Sequence, residues 1–231
     1  MIEIAGGDEE GESLVDFVYS QIKQDITAGT LQPNVKINLP ELCERYKTSQ
    51  TPIKQALNRL MMSGLVENIP QRGYRIKRIT WNEIDEIFEL RLMMEKAFAP
   101  KVIQSVSSHS VLQQKFETNL KENMELAKNF VTIEGFLNTY SLDQQFHELF
   151  ILAGGNHTAS RAYGLLNTHV YSTWLYGKQP KEKTISGIQE HHAIYDAIKA
   201  GDGDELQKQL DIHTQNAREI IYFSLKLAHL L

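Results

Sequence analysis

Cysteine is almost missing from this 231-residue chain: Cys43 is its only one. No internal disulfide can form, and the expected location is a reducing cytoplasm. Cys43 lies in the run Leu42-Cys43-Glu44-Arg45-Tyr46 and reads as a core filler. Long apolar stretches are lacking too. Nothing approaches the roughly 18 uncharged apolar residues that a membrane span requires, so no membrane partner is expected. The N-terminus has neither a basic start nor an apolar run, which excludes a secretory signal. Residues 1–12 are instead acidic and glycine-containing, and read as a flexible tail. Catalytic signatures are equally scarce. There is no His-Glu-x-x-His pair, no duplicated Glu-x-x-His, no phosphate-cradling glycine loop and no nucleophile elbow, which argues against an enzyme.

What is present is ordinary globular material, 42% hydrophobic and 23% charged, enough for two cores. The net charge of −5 hides an uneven distribution. Residues 1–13 carry five acids and no base, and residues 14–78 carry ten Lys/Arg against five Asp/Glu. Residues 79–231 carry fourteen bases against nineteen acids. A basic segment beside an acidic one is expected where one module meets phosphate.

From Ser13, the apolar residues Leu14, Phe17, Val18, Ile22 and Ile26 recur at helical spacing, with Gly29 as a stop. Pro33 and Asn34 mark a turn. A second helix follows Asn38, which has capping-box spacing to Glu41. Ser49 can cap a third helix with Pro52 in its first turn, inward-facing Ile53, Ala56, Leu57 and Leu60, and an end at Gly64. The period then changes to two. Leu65–Ile69 reads as a strand and Pro70–Gly73 as a turn, and Tyr74, Ile76 and Ile79 alternate with basic residues. Three helices followed by a basic hairpin predict a winged helix-turn-helix over residues 13–79.

A recognition helix exposes short polar and cationic side chains while burying its other face. Gln50, Thr51, Lys54, Gln55 and Asn58 meet that need, and Arg45 and the wing-tip Arg72 suit backbone phosphates. A merely solvated helix face is the other reading. Because one short helix covers only one half-site, a homodimer on a double-stranded DNA operator is expected.

Residues 80–231 show no convincing period-two run. Helical patterns cover about 81–105, 111–130, 133–152, 159–176, 184–200 and 204–230, which predicts a six-helix antiparallel bundle and a mainly α protein. Thr80 is a candidate cap, and Pro100 predicts a kink or break in the first of these helices. Asp143 and His147 are four apart on one face. His191 shares a face with Ile194, Tyr195 and Ile198, and His213 with Leu206, Leu210 and Ala217, while His192 points to solvent. Three imidazoles and a carboxylate suit a divalent transition metal. Taken singly, each reads first as a hydrogen-bonded core histidine, and spacing does not show that they meet. His109, His157, His169 and His229 read as surface or packing residues.

Two resemblances combine these halves. Ser49-Gln50-Thr51-Pro52-Ile53-Lys54-Gln55-Ala56-Leu57, then Gly64-Leu65-Val66 and Gln71-Arg72-Gly73-Tyr74, resemble the DNA-binding module of the GntR family. That family usually has arginines at the positions of Gln50 and Lys54 and glutamate at Gln55, so guanine readout is expected to be altered. Glu89-Leu90-Arg91 with Glu95, Asp143-Gln144-Gln145-Phe146-His147, Gly155-Asn156, Glu190-His191, Gly201-Asp202 and His213 resemble the FCD effector domain of the FadR-type subfamily. The resemblance implies a metal, zinc or nickel, held by Asp143, His147, His191 and His213. It also implies a small organic acid as effector, with Arg91 and Asn156 as candidate contacts, Arg91 having an internal salt bridge as its alternative. The function it implies is a ligand-responsive repressor of a metabolic operon. Two alternatives stay open here: a regulator whose metal is purely structural, and a metal-dependent enzyme.

Overall fold

The computed structural model describes residues 13–78 and 80–227. The acidic N-terminal segment, Ile79 and His229 therefore lie outside the described residues. The DNA-binding portion contains α1 (Leu14–Thr27), α2 (Leu39–Arg45), α3 (Gln50–Met62), β1 (Val66–Ile69) and β2 (Gly73–Ile76). The Ser13 hydroxyl accepts from the Asp16 amide at 3.2 Å and starts α1. Val18, Ile22 and Ile26 bury the inner face of α1 completely, whereas Leu14 and Phe17, assigned to that face by spacing, are exposed. Asn38 occupies the cap position of α2, but its side chain makes no capping bond, so the capping box does not form. On α3, Ile53, Ala56, Leu57 and Leu60 are fully buried. At roughly 1.5–3 kcal/mol for each large side chain removed from water, this face anchors the helix.

β1 and β2 pair antiparallel, from Val66 opposite Ile76 to Ile69 opposite Gly73. The segment after the Pro33 turn adds an unanticipated third edge. The Asn34 amide donates to the Ile76 carbonyl and the Ile37 amide to the Tyr74 carbonyl, both at 2.9 Å. The unpaired edge of β2 is thereby covered.

The remaining residues form α4 (Trp81–Ser108), α5 (Ser110–Asn129), α6 (Ile133–Ala153), α7 (His157–Leu165), a short 3-10 helix (Val170–Trp174), α8 (Lys181–Ala200) and α9 (Gly203–Leu227). The main packing pairs are α4 with α9, α5 with α6, and α8 with both α5 and α9. Gly201, at φ 71°, ends α8 in a left-handed turn that suits glycine, and the chain reverses into α9. At the end of α6, a Cβ on Gly154 would lie 2.7 Å from the ring of Phe98, so the glycine permits close approach to α4.

Of the kink or break expected at Pro100, no break occurs, and α4 runs through it. Proline removes the hydrogen bond to the carbonyl four residues earlier, that of Lys96, and Gln207 on α9 donates to that carbonyl at 3.1 Å instead. The single helix expected over 159–176 is instead α7 and the 3-10 turn. Asn167, left-handed at φ 49°, stops the helical path between them.

The first core is not confined to the N-terminal portion. Val18, Ile22, Leu57 and Leu60 belong to one buried cluster with Phe88 of α4, Trp174 and Leu175 after α7, and Leu225 of α9. A second cluster, built on Phe116, Phe146, Phe150, Ile194 and Leu206, fills the far end of the bundle.

Candidate metal centre and nucleic-acid interface

Three helices bring the predicted imidazoles together. His147 of α6, His191 of α8 and His213 of α9 are all buried. The Nε2 atom of His191 lies 3.0 Å from that of His147 and 3.2 Å from that of His213. Asp143, one turn before His147, places Oδ1 3.3 Å from His191 Nε2. The four predicted residues therefore converge, a juxtaposition that spacing alone did not show.

Two further carboxylates orient the rings. His147 Nδ1 lies 3.0 Å from Glu95 Oε1, and His213 Nδ1 lies 2.8 Å from Glu190 Oε2. An N–H donated from each Nδ1 leaves the Nε2 lone pairs of His147 and His213 turned to the centre, the tautomer a metal-binding histidine needs. Phe146 stacks on His191 at 4.3 Å and fixes its plane. His191 Nδ1 is buried with no partner among the described residues. Burial holds the imidazoles of His191 and His213 down to about 3, and that of His147 well below its ordinary value. They are thus neutral donors at neutral pH. Burial opposes ionisation of Asp143, but His191 and His169 beside it outweigh that and hold its carboxyl far below the usual range. Neutral nitrogens and an ionised oxygen at one point fit a divalent transition ion.

Arg91 of α4 is buried beside this cluster. Its Nε donates to Glu95 Oε1 at 3.1 Å, and its Nη2 donates to His147 Nε2 at 2.6 Å, so a metal ion there takes over the lone pair that Arg91 engages. The internal salt bridge and the pocket-facing position, set as alternatives in the sequence, are both present. The Tyr163 hydroxyl also donates to Glu95 Oε1, at 2.5 Å. A cavity of about 70 Å³ adjoins the cluster, with Arg91, Asp143, His169 and His213 in its wall beside apolar Phe88 and Ile188.

Two expectations are corrected. Asn156 is not at this cavity: it is exposed, and its Oδ1 accepts from the amides of Thr158 and Ala159 as the cap of α7. His169 is no mere surface residue. Its Nε2 is hydrogen-bonded to Asp143 Oδ2, and its Nδ1 lies 2.9 Å from the Thr168 hydroxyl. It was missed because it lies in a connector without periodicity, so no helical face pointed it inward. His192, His109 and His157 are exposed. Cys43 is partly buried against the first core.

On α3, Gln50, Thr51, Lys54, Gln55 and Asn58 are exposed opposite the buried face, and Ser49 is exposed at the start of the helix, where it makes no side-chain cap. Arg72 is exposed at the wing tip. Asn58 Oδ1 accepts from the Tyr74 hydroxyl at 2.9 Å, which ties the helix to the wing. Arg45 is not a free cation: it pairs with Asp25 at 2.8 Å and Glu41 at 3.2 Å.

Comparison with known proteins matches both halves. The profile of the bacterial regulatory proteins of the gntR family matches residues 14–76, and that of the FCD domain matches residues 86–216. The chain is a GntR-family transcriptional regulator with an FCD domain. It is 23% identical over 195 residues to the uncharacterized HTH-type transcriptional regulator YdhC of Bacillus subtilis, covering 84% of this chain and 85% of that protein. It is 26% identical over 184 residues to the galactonate operon transcriptional repressor of Escherichia coli, covering 73% and 79% respectively. Among solved structures, E. coli McbR/YncC shares the fold with a TM-score of 0.67 and 18% identity, over 91% of this chain and 97% of that one. As a member of this family the GntR/FCD chain is a DNA-binding regulator and not an enzyme. Among the described residues, no helix is long and apolar enough to cross a membrane.

Proposed function

We propose that this regulator is a homodimeric repressor of a metabolic operon, and that it reads a small organic acid at a metal centre formed by Asp143, His147, His191 and His213. The observation that carries the reading is the convergence of three buried, neutral imidazoles, two of them oriented by carboxylates, with an ionised Asp143. Zinc or nickel suits this donor set. Bound there, a divalent ion would supply positive charge beside the cavity and open positions for an anion. Arg91 offers a second anchor, since its guanidinium lies in the cavity wall. The volume of about 70 Å³ favours a short-chain carboxylate, given that a cavity of about 150 Å³ is needed to hold benzene. The likeness to a galactonate operon transcriptional repressor supports repression of a metabolic operon.

Residues 13–79 act as the DNA-reading unit and 80–231 as the sensing unit. Thr51, Lys54, Gln50 and Gln55 face base edges, Asn58 adds its amide nitrogen, and Ser49 and Arg72 hold phosphates. The signal passes through α4, which begins at the wing. Lys77 after β2 pairs with Glu83 at 2.6 Å, and the Thr80 hydroxyl caps the Glu83 amide. A ligand shifts this equilibrium only by binding one state better than the other, and a coupling of about 1–3 kcal/mol changes operator affinity roughly 5–150-fold.

The test has two arms. Bound metal is measured in wild type and in His147→Ala, His191→Ala and His213→Ala, with His192→Ala as control; loss in the first three and retention in the control is expected. Short organic acids are then titrated into the protein–operator complex with and without chelator. Equal metal content in wild type and the His147→Ala/His213→Ala double variant overturns the centre. Operator affinity that no acid alters while metal is retained leaves a purely structural ion, the second reading.

A further inference from the structure

A second cavity, of about 220 Å³, lies at the seam between the DNA-binding portion and the bundle. Lys23 of α1 and Ser63 after α3 contribute to one side of it, and Gln144 of α6 with Ser172 and Thr173 of the 3-10 helix contribute to the other. A wall that includes His169 separates it from the metal-side cavity, since His169 lines both.

Its electrostatics are one-sided. Lys23 is half-buried, and among the described residues it has no ion-pair partner, nor does any Asp or Glu line the cavity. The half-buried cations Arg75 and Lys77 behave differently, each pairing with a glutamate within 2.8 Å. Partial removal of an ammonium from water costs free energy that a counter-charge offsets, and none of the described residues supplies one here. Burial accordingly lowers the Lys23 pKa with no opposing charge. Thr173 is 1% exposed, lines the same space, and its Oγ1 has no hydrogen-bond partner. Lys23 cannot be assigned to DNA phosphate, because it shares its cavity with the sensing domain.

We propose that the seam cavity is a second ligand site, distinct from the metal centre, for a small hydroxylated anion whose acidic group pairs with Lys23. Its hydroxyls meet polar groups of the wall such as Ser63, Gln144 and Ser172. The volume is about one and a half times the roughly 150 Å³ that accepts benzene, enough for the acidic end and first hydroxyls of a sugar acid or sugar phosphate, with the remainder at the open mouth. Such a ligand touches α1 and the end of α3 on one side and α6 and the 3-10 helix on the other. It therefore holds the two portions in one relative arrangement, and this binding does not depend on the metal reading.

The experiment is calorimetric titration of the full-length protein, metal-loaded and chelated, with gluconate, glucose 6-phosphate and neutral glucose. Both anions bind and glucose does not. Lys23→Met keeps the apolar stem, and weakens anion binding roughly ten- to a hundredfold, the worth of a charged hydrogen bond. A melting temperature at or above wild type shows that Lys23→Met is folded, and Lys23→Gln serves if it is not. The proposal is overturned if neither anion binds at millimolar concentration, if glucose binds as well as the acids, or if Lys23→Met binds as wild type does. Binding that disappears with chelator or in His213→Ala also overturns it, by placing the anion at the metal centre, and leaves the proposed function standing.

Discussion

Lowering the pH on metal-free protein tests the buried imidazoles directly. In the folded chain His191 and His213 are held at about 3, so both are neutral at pH 5. In the unfolded chain an imidazole titrates near its ordinary value of about 6.5 and is charged at pH 5. The unfolded state then binds more protons, so stability falls as pH drops below about 6.5, and levels off only near the folded value of about 3. One proton of difference changes stability by about 1.4 kcal/mol per pH unit, so 1.5 units cost about 2 kcal/mol per imidazole and about 4 kcal/mol for the pair. Against the 5–15 kcal/mol typical of a folded protein that loss is large. His147 shifts in the same direction and adds to it.

The assay is urea denaturation in chelator at steps from pH 7.5 to 5.0, on wild type, His192→Ala and His191→Leu. His192 is exposed and lies outside the cluster, so its removal serves as the substitution control. His191→Leu removes one buried imidazole, and its stability loss over the range is smaller than that of wild type by about 2 kcal/mol. Surface carboxylates titrate alike in all three proteins and cancel in the comparison. A His191→Leu profile parallel to wild type shows that the imidazole is not held neutral by burial, and the argument for a neutral donor set fails with it.

Other outcomes follow from the same geometry. Arg72→Ala weakens operator binding and flattens the log–log dependence on salt by about 1, as for one lost phosphate contact; Arg45→Ala, whose cation is engaged by Asp25 and Glu41, changes affinity less in the same gel-shift series. Asn156→Ala lowers stability by about 1 kcal/mol through loss of the α7 cap, visible in thermal melts, and leaves the operator response to organic acids unchanged. Arg91→Lys retains a cation for Glu95 but loses the planar fork, so metal content persists while the acid concentration needed to release operator rises.

How much of this was legible in the sequence depends on whether a residue's role is local. Period and punctuation specify the faces of α3, α8 and α9, so the inward turn of His191 and His213 was readable from their neighbours. Convergence was not, because it depends on how three helices pack. Caps misled in both directions: Asn38 has the right spacing and makes no cap, while Asn156 matched an effector-domain motif and proves to be one. Pro100 misled because the freed Lys96 carbonyl finds its donor on a helix more than a hundred residues later. His169 and Lys23 carried no signal at all. One sits in an aperiodic connector and the other is an ordinary lysine on an amphipathic helix, and only the tertiary seam makes either unusual.

That seam also bears on how sensing reaches DNA. Two paths lead from the cluster toward the recognition helix and the wing. Along α4, Arg91 stands eight residues from Glu83, which Lys77 clamps to the end of the wing; at 1.5 Å per residue the span is about 12 Å of continuous helix. Along the connector, His169 touches Asp143, while Asn167, two residues earlier, donates to the carbonyl of Met62 at the end of α3 at 3.1 Å. Packed interiors resist gradual deformation and pass small displacements on. On the proposed function, a change at Arg91 would act on the wing and one at Asp143 on the end of α3, so the two elements expected to meet DNA are tied to different sides of one buried centre. Their relative placement, more than either position alone, decides whether helix and wing fit a groove together, and a seam ligand between Lys23 and Thr173 acts on that same placement from outside the centre.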